Sequence, residues 1–509
     1  MKKAKRYFNT SGPNIPEEHY TLMRPDLIAK GKEMVEQKRY FTIWAPRQTG
    51  KSTYFRLLAA DLTKFGYKVA HINVESFLQA PLHSLFEYLL DEIKRHWGKE
   101  WKCETLSDLF NEIKGLDDGR YLLIVDEVEH LNPDYFGQFL HTIRNLYHSR
   151  EYHGLASVIL VGVSNIVGIV EDNASPFNIA DNLTIPYFTN KETLELLHQH
   201  EEETGQLFEG KVKAKISEIT ANQPGLVNGF AYQLTQRCEN KPVIDFDDYL
   251  EVEDWYLRIV IDKNVSNIIK YAKKHRSFVE RLLFTDEEIP YDIDREEIKV
   301  LHTNGLIKDD PNGNVAFWVP LYKKRLYKAF YPYTNGEGSR ISKELWAEEF
   351  FLENDVLNID FLITRYKEYI QRRSFKYFRE KDDSGNYLSI KEAALVYSFE
   401  TYIQAFLQES GGKSYLEAHT GLGRSDLIIY VRNQEYIIEF KVYNSPAKFL
   451  KGKKQLAYYC KKMGLSEGIY LVFVPNITRL PKLIQEAVEN FDGVLIKTRL
   501  VMYDEEKDF

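Results

Sequence analysis

Two groups of residues in this 509-residue chain have the types and the spacing for phosphate chemistry. The first is Ala45-Pro46-Arg47-Gln48-Thr49-Gly50-Lys51-Ser52, followed by Thr53. It has P-loop spacing, with Ala45 where the first glycine usually stands. In such a loop, backbone N–H groups and a helix N-terminus cradle phosphates. Lys51 then reaches the β- and γ-phosphates, and the Ser52 hydroxyl holds Mg2+. The segment YLLIVDEVEHL adds a second element, an apolar run ending on Asp126 and Glu127. Asp126 suits the magnesium shell and Glu127 suits polarising an attacking water. The plain alternative is an ordinary strand ending in two surface acids. The order strand, loop, helix, acidic strand favours ATP with Mg2+ as the bound pair.

The second group is Asp426, Glu439 and Lys441, spaced D-(x12)-E-x-K. Two hard oxygen ligands bind Mg2+ or Mn2+. A metal there lowers the pKa of a bound water and stabilises charge on a phosphate. Lys441 would orient or deprotonate that water. Glu400 lies on the preceding helical stretch and can add a carboxylate. Gln455, on the following one, can orient the lysine or the substrate, with Tyr459 one turn on. The strand period of two puts Glu439 and Lys441 on one face. A two-residue turn at Asn433-Gln434 would set Asp426 opposite Lys441. The bare pattern also fits a solvated, ion-paired strand face. Ile437, Ile438, Phe440 and Val442 around Glu439 argue instead for a buried strand, where a stray glutamate is costly.

The elements that must position these residues follow from hydrophobic patterning. Strand-like runs at 40–45, 68–74, 121–126 and 157–163 alternate with helical stretches, which predicts a parallel sheet covered by helices. Residues 190–250 read as mainly helical. Helical patterns at 276–284 and 294–304, then the turn signal DDPNG between GLIK and VAFWV, look like a winged helix. From about 390 the order reads helix, three strands, helix 445–464, strand 468–474, helix 481–490 and strand 493–500. The expected domains are 1–188 (P-loop core), 189–250 (helical), 251–335 (winged helix), 336–386 (helical linker) and 387–509 (the D…ExK domain).

Composition bounds the reading. Hydrophobic residues at 44% and charged residues at 28% are ordinary for a soluble globular chain, which sets aside disorder and fibres. Lys+Arg of 67 against Asp+Glu of 75 gives −8, so any nucleic-acid contact must be local. Local basic segments exist at 320–332, 364–381 and 448–454. Their interleaved Tyr and Phe suit base stacking, or equally a core with a solvated basic face. Cys103, Cys238 and Cys460 form no CxxC pair, which predicts a reducing, cytoplasmic setting without structural zinc or disulfides. No apolar run approaches ~18 residues, so no membrane span is expected. The first residues lack the apolar stretch of a secretory signal.

Taken together, RYFNTSGPNIPEEHY (6–20), APRQTGKS, the VDE strand, SPFNIADNLTI (175–185) and NQPGLVNGFA (222–231) resemble AAA-like P-loop ATPases of prokaryotes near the STAND and Orc branches. The resemblance covers roughly 6–330. It implies an α/β multidomain chain with an ASCE-type sheet and a helical lid holding the QPGLVN segment. It also implies that 6–20 lie near the nucleotide and that nucleotide-dependent homo-oligomers form. Such proteins often carry an Arg-Asp pair after the fourth strand. Here Ser164-Asn165 stands there, with Asn165 able to contact the γ-phosphate. The stretch E…GLGRSDLIIY…YIIEFKV…KKQLAYY…GIYLVF resembles the PD-(D/E)xK nuclease superfamily, with its αβββαβ order, and more closely the nuclease-like domain often fused to such ATPases. Ser425 stands where that superfamily often has proline. The expectation is an ATP-binding, ATP-hydrolysing protein with a metal-dependent nuclease domain acting on DNA, gated by nucleotide. One alternative is a nucleotide-sensing switch or scaffold whose nuclease fold only binds. A third reading is a DNA-processing or defence component.

Overall fold

The computed structural model describes residues 6–162, 181–259, 263–284, 287–330, 347–352, 355–371, 392–419, 424–443, 445–475, 480–481 and 484–503. Its packing divides them into two compact units. One holds Met1–Tyr271, Tyr291–Asp310 and Val315–Lys324; the other holds Ala272–Pro290, Pro311–Asn314 and Arg325–Phe509.

The first unit is built on five strands: β1 (Phe41–Trp44), β2 (Lys68–Asn73), β3 (Tyr121–Asp126), β4 (Leu155–Gly162) and β5 (Asp181–Asn182). All pair in parallel, in the order β2-β3-β4-β1-β5. The helices are α1 (Pro25–Glu36), α2 (Lys51–Lys64), α3 (Leu82–Trp97), α4 (Leu106–Lys114) and α5 (Pro133–His148). Both faces of a parallel sheet must be covered, which is why β3 is apolar at every position but its last. Leu122 and Ile124 pack with Phe55 and Leu58 of α2, while Leu123 and Val125 pack with Leu89 of α3 and Phe139 of α5.

A helical run follows as α6 (Asn190–Thr204), α7 (Gly210–Thr220), α8 (Pro224–Arg237) and α9 (Phe246–Arg258), tied by the two-residue strands β6 (Leu207–Phe208) and β7 (Val243–Ile244). Then come α10 (Lys263–Lys274), α11 (Arg276–Phe284), α12 (Glu296–Thr303), the hairpin β8 (Ile307–Asp309) and β9 (Val315–Phe317), and α13 (Pro320–Phe330).

The second unit centres on a six-stranded mixed sheet, in the order β10-β11-β12-β13-β15-β14. Its strands are β10 (Lys413–His419), β11 (Arg424–Val431), β12 (Gln434–Val442), β13 (Glu467–Pro475), β14 (Ala487–Phe491) and β15 (Val494–Tyr503). Its helices are α14 (Ile359–Gln371), α15 (Glu392–Glu409) and α16 (Pro446–Lys462). β12 and β13 are parallel and central. Phe440 packs against Phe399 of α15 and Phe473 of β13 on one face. Ile437, Tyr470 and Val472 pack with Leu456 and Cys460 of α16 on the other.

Two expectations are corrected here. Residues 487–491, read as the end of a helix, form β14. Their partner is β15, through Phe491↔Val494, and the connecting Asp492 and Gly493 have φ of 50° and 89°. That is the Asp-Gly hairpin turn whose twist matches paired strands, and it overrides the helical spacing before it. The β11–β12 turn is Arg432-Asn433, not Asn433-Gln434, because Val431 pairs with Gln434 and both turn residues have positive φ. The shift moves Asp426 along β12 by two positions, which preserves the face. The ladder runs to Leu427↔Ile438, a register that brings position 426 level with Glu439 rather than Lys441.

No helix among the described residues is long and apolar enough to cross a membrane. Replacing Gly493 by Ala forces an L-residue into left-handed backbone, so stability of the second unit should fall by ~1–2 kcal/mol in urea unfolding. An unchanged midpoint would contradict the turn geometry.

Candidate functional site

The β1–α2 loop is set by backbone conformation. Gln48 and Gly50 have φ of 59° and 90°, and Gly50 directly precedes the first residue of α2. A Cβ at Gly50 would meet no neighbouring atom, so the left-handed φ is what calls for glycine there. The Thr49 hydroxyl donates to Pro46 O at 2.9 Å and closes the loop. The first turn of α2 leaves N–H groups directed at the loop.

Lys51 is 8% exposed and donates from Nζ to the carbonyls of Ala45 (2.7 Å) and Pro46 (3.1 Å). Burial pushes its ammonium down to about 8, against the opposing pull of Glu127, Glu129 and Asp126. Asp126 is buried at the end of β3. Its Oδ1 accepts the Glu127 N–H at 3.0 Å, and its Oδ2 lies 3.8 Å from His71 Nε2. Glu127 sits at φ 57°, and its carboxyl is raised by burial and by the charges of Glu129 and Asp126. A raised carboxyl pKa brings a general base nearer its operating pH. Ser52 is half-buried on the first turn of α2. A serine hydroxyl and a carboxylate are hard oxygen donors and fit Mg2+.

Elements distant in sequence hold this loop. Gly225, in the first turn of α8, donates its N–H to Gln48 O at 3.0 Å, and a Cβ there would come within 2.5 Å of Gln48 Oε1. Gln223 donates from Nε2 to Tyr322 OH at 2.9 Å and reaches Arg47 O at 3.5 Å. A Cβ at Gly305 would lie 2.9 Å from Pro46 Cβ. Asn14 donates its N–H to Thr53 Oγ1 at 3.0 Å, and Arg6 pairs with Glu203 of α6. The segment 6–20 therefore bridges α2 and α6. Sequence reading placed the segment near the nucleotide but gave no sign of the three contacts on Pro46, Arg47 and Gln48. Asn165 lies outside the described residues.

Sequence reading also missed Glu129 and His130. With Glu127 they bring one ligand atom each to within 4.8 Å of one another. The VDEVEH run contains them, and the short 3-10 turn Val128–His130 folds them back beside Glu127.

In the second unit, Glu439 is 1% exposed on central strand β12. Lys441, on the same face, has Nζ 3.7 Å from Glu439 Oε1 and 2.9 Å from Glu392 Oε1. Glu392 Oε2 accepts the Val442 N–H at 3.2 Å, so one carboxylate clamps both the ammonium and the strand. No local pattern marks Glu392, because the contact spans 49 residues and depends on where α15 starts. Glu400 is buried, with Oε1 accepting from Gln404 at 2.5 Å and from the Ser414 hydroxyl at 3.2 Å. Gln455 donates to Tyr459 OH at 3.0 Å, one turn along α16. Burial and the charge of Glu439 raise the Cys460 thiol, which sets Glu439 close to the face covered by α16. The strand position of Asp426 is described; its side chain is not. The Glu439 carboxylate beside a fixed ammonium is a hard oxygen donor of the kind that suits Mg2+ or Mn2+; no contact joins Glu400 to it among the described residues.

Residues 34–170 match the family model described as an AAA domain. The N-terminal region holds an AAA-type P-loop ATPase domain. No curated protein matches the chain. Among solved structures it is similar to the Walker-type ATPase PABY2304 of Pyrococcus abyssi, at 14% identity and TM-score 0.47, covering 63% of this chain and 99% of that one. It is also similar to the RuvB Holliday-junction branch-migration motor of Thermotoga maritima, at 11% identity and TM-score 0.35, covering 61% and 94%. The Orc1 protein of Aeropyrum pernix, solved in complex with DNA, follows at 14% identity and TM-score 0.31, covering 63% and 94%. At these values the likenesses carry no functional argument.

Binding of nucleotide by the AAA domain implies a pH dependence with a definite sign. Free Lys51 loses its proton as pH rises through about 8, whereas a bound phosphate holds it charged. Affinity should be flat below that pH and weaken above it, approaching about tenfold per pH unit. Titration of the full chain with a fluorescent adenine nucleotide from neutral to alkaline pH checks this; constant affinity throughout would contradict it.

Proposed function

We propose that the chain is an ATP-hydrolysing protein whose second unit is a divalent-metal-dependent nuclease, with DNA favoured as substrate and nucleotide as the gate. The observation that carries the nuclease reading is Glu439. It is a carboxylate on a central apolar strand at 1% exposure, beside a lysine clamped by Glu392. A charge is kept in such a place when it has partners, and chemistry is a reason to keep it.

At the ATP site, Lys51 neutralises phosphate oxygens and Ser52 and Asp126 hold Mg2+. Glu127 takes the proton from the attacking water. The P–O bond to water forms as the β–γ bridging bond breaks, and the nucleoside diphosphate leaves with the bridging oxygen. At the second site Asp426, Glu439 and Glu400 hold the cation, which supplies a polarised water and charge for the phosphate. Glu392 fixes the Lys441 ammonium, and Lys441 orients the water in line with the scissile ester bond. Gln455, braced by Tyr459, steadies the lysine or the phosphate. The protein is proposed to reside in the cytoplasm and to form homo-oligomers when nucleotide binds.

Cleavage of labelled DNA with Mg2+ or Mn2+, with and without ATP, tests this reading. Asp426→Ala and Glu439→Ala should each abolish cleavage, a loss of at least ~100-fold given what a lost metal ligand or its partner costs. Unchanged cleavage in both would remove the site. Lys51→Ala should leave cleavage without its response to ATP; an intact response would end the gating. Glu392→Gln should lower cleavage by about 10- to 100-fold with folding retained, as a positioning residue does. Its pH–rate profile should also shift, because Lys441 loses an adjacent charge, and an unshifted profile would reduce Glu392 to a structural role.

A further inference from the structure

The segment KFLKGKK (448–454) reads as one basic cluster in sequence, and the fold takes it apart. Helix α16 carries six lysines and no acidic residue. Lys453 turns inward. It is 3% exposed, lies over the Phe449 ring at 4.4 Å and is held by Glu489. Lys448, Lys451, Lys454 and Lys461 are exposed, and among the described residues none of them is paired with a carboxylate. Elsewhere in the same unit Arg365, Lys367, Arg432, Lys497 and Arg499 each sit against one. Like charges three and four residues apart destabilise a helix, so the uncompensated row is kept against a local cost.

The row has a direction and an aromatic member. Lys451, Lys454, Tyr458 and Lys461 recur at helical spacing along one side. At the helical rise, Lys448 to Lys461 spans about 20 Å, the length of several nucleotide steps. Tyr458 is 50% exposed among them, with the Lys462 ammonium 5.6 Å from its ring centre. The inward side of the same helix covers the face where Glu439 lies and carries Gln455 and Tyr459.

We propose that this exposed side of α16 is a track for single-stranded nucleic acid, with the lysines on successive phosphates and Tyr458 against an unpaired base. Lysines alone would serve a duplex equally, but an exposed ring set among them serves a base that is free to stack. The contacts proposed are to phosphates and to a base face, neither of which involves the sugar, so DNA and RNA strands of one sequence are held alike. The inference rests on the nuclease reading for its context and names the form of that substrate.

The test is binding without cleavage. The full chain is titrated, with divalent metal chelated, against a short labelled single strand of DNA, the RNA of the same sequence and the DNA duplex, over a series of salt concentrations. The triple variant K448Q/K451Q/K454Q keeps good helix formers. It should reduce the slope of log affinity against log salt by about 2 for the single strand, at ~0.7 per lysine removed. Tyr458→Ala should weaken single-strand binding by about 5- to 150-fold and leave duplex binding as it was. Lys413→Gln, an exposed lysine on β10, should leave the slope unchanged. An unaltered slope in the triple variant overturns the track. Equal losses for strand and duplex in Tyr458→Ala overturn the stacking, and a tenfold or greater preference for RNA overturns the indifference to sugar. Retained binding with no cleavage under any metal strikes the nuclease reading alone; cleavage with an unaltered slope strikes the track alone.

Discussion

A charge at the end of a fully apolar strand is expensive to bury unless groups around it answer it. Both units are arranged around that constraint. In the first, β1 and β3 run apolar into Lys51 and Asp126, and parallel pairing brings their carboxyl ends to the same edge of the sheet. Lys51 is answered by two carbonyls and by the nearby acids of the 126–129 turn. In the second, β12 runs apolar into Glu439 and Lys441, and Glu392 completes the set from the first turn of α15. At the P-loop, left-handed Gln48, Gly50 and Glu127 and the close contacts of Gly225 and Gly305 gather where that compensation is delivered.

What the sequence shows of this is the charged residue and the strand that leads to it. A continuous apolar run bounded by turn residues has few other readings, so β1 to β4 and β10 to β13 are legible within a residue or two. The loop APRQTGKS is legible because its glycine and lysine each have a local reason. The compensating partners are not. Gly225 meets Gln48 and Gln223 reaches Arg47 across some 176 residues, and no local pattern marks such a meeting. The inward turn of Lys453 depends on a partner, Glu489, in a strand that itself looks helical in sequence. Asp492-Gly493 was the stronger signal there, because its twist demands pairing while the helical spacing only permits a helix.

The hairpin register shows how a small local ambiguity reaches the chemistry. Arg432, Asn433 and Gln434 offer two adjacent two-residue turns, and asparagine accepts a left-handed conformation in either. Choosing between them moves Asp426 by two positions along β12. The face is preserved, so a strand-parity argument cannot tell the two apart. The neighbour does change. The observed ladder runs to Leu427↔Ile438, a register that brings position 426 level with position 439 rather than 441.

The two sites differ in how their charges are met. At the P-loop the protein supplies its own cation, Lys51, whose ammonium burial pushes down to about 8 and two backbone carbonyls hold in place. At β12 the Lys441 ammonium is held by Glu392 and lies 3.7 Å from Glu439. On the metal reading proposed above, a small multivalent cation would turn the field there from repelling a phosphodiester to accepting one. In the proposed track the exposed lysines of α16 would act over a longer range and attract the backbone first, and salt would screen them in a way it does not screen a buried set.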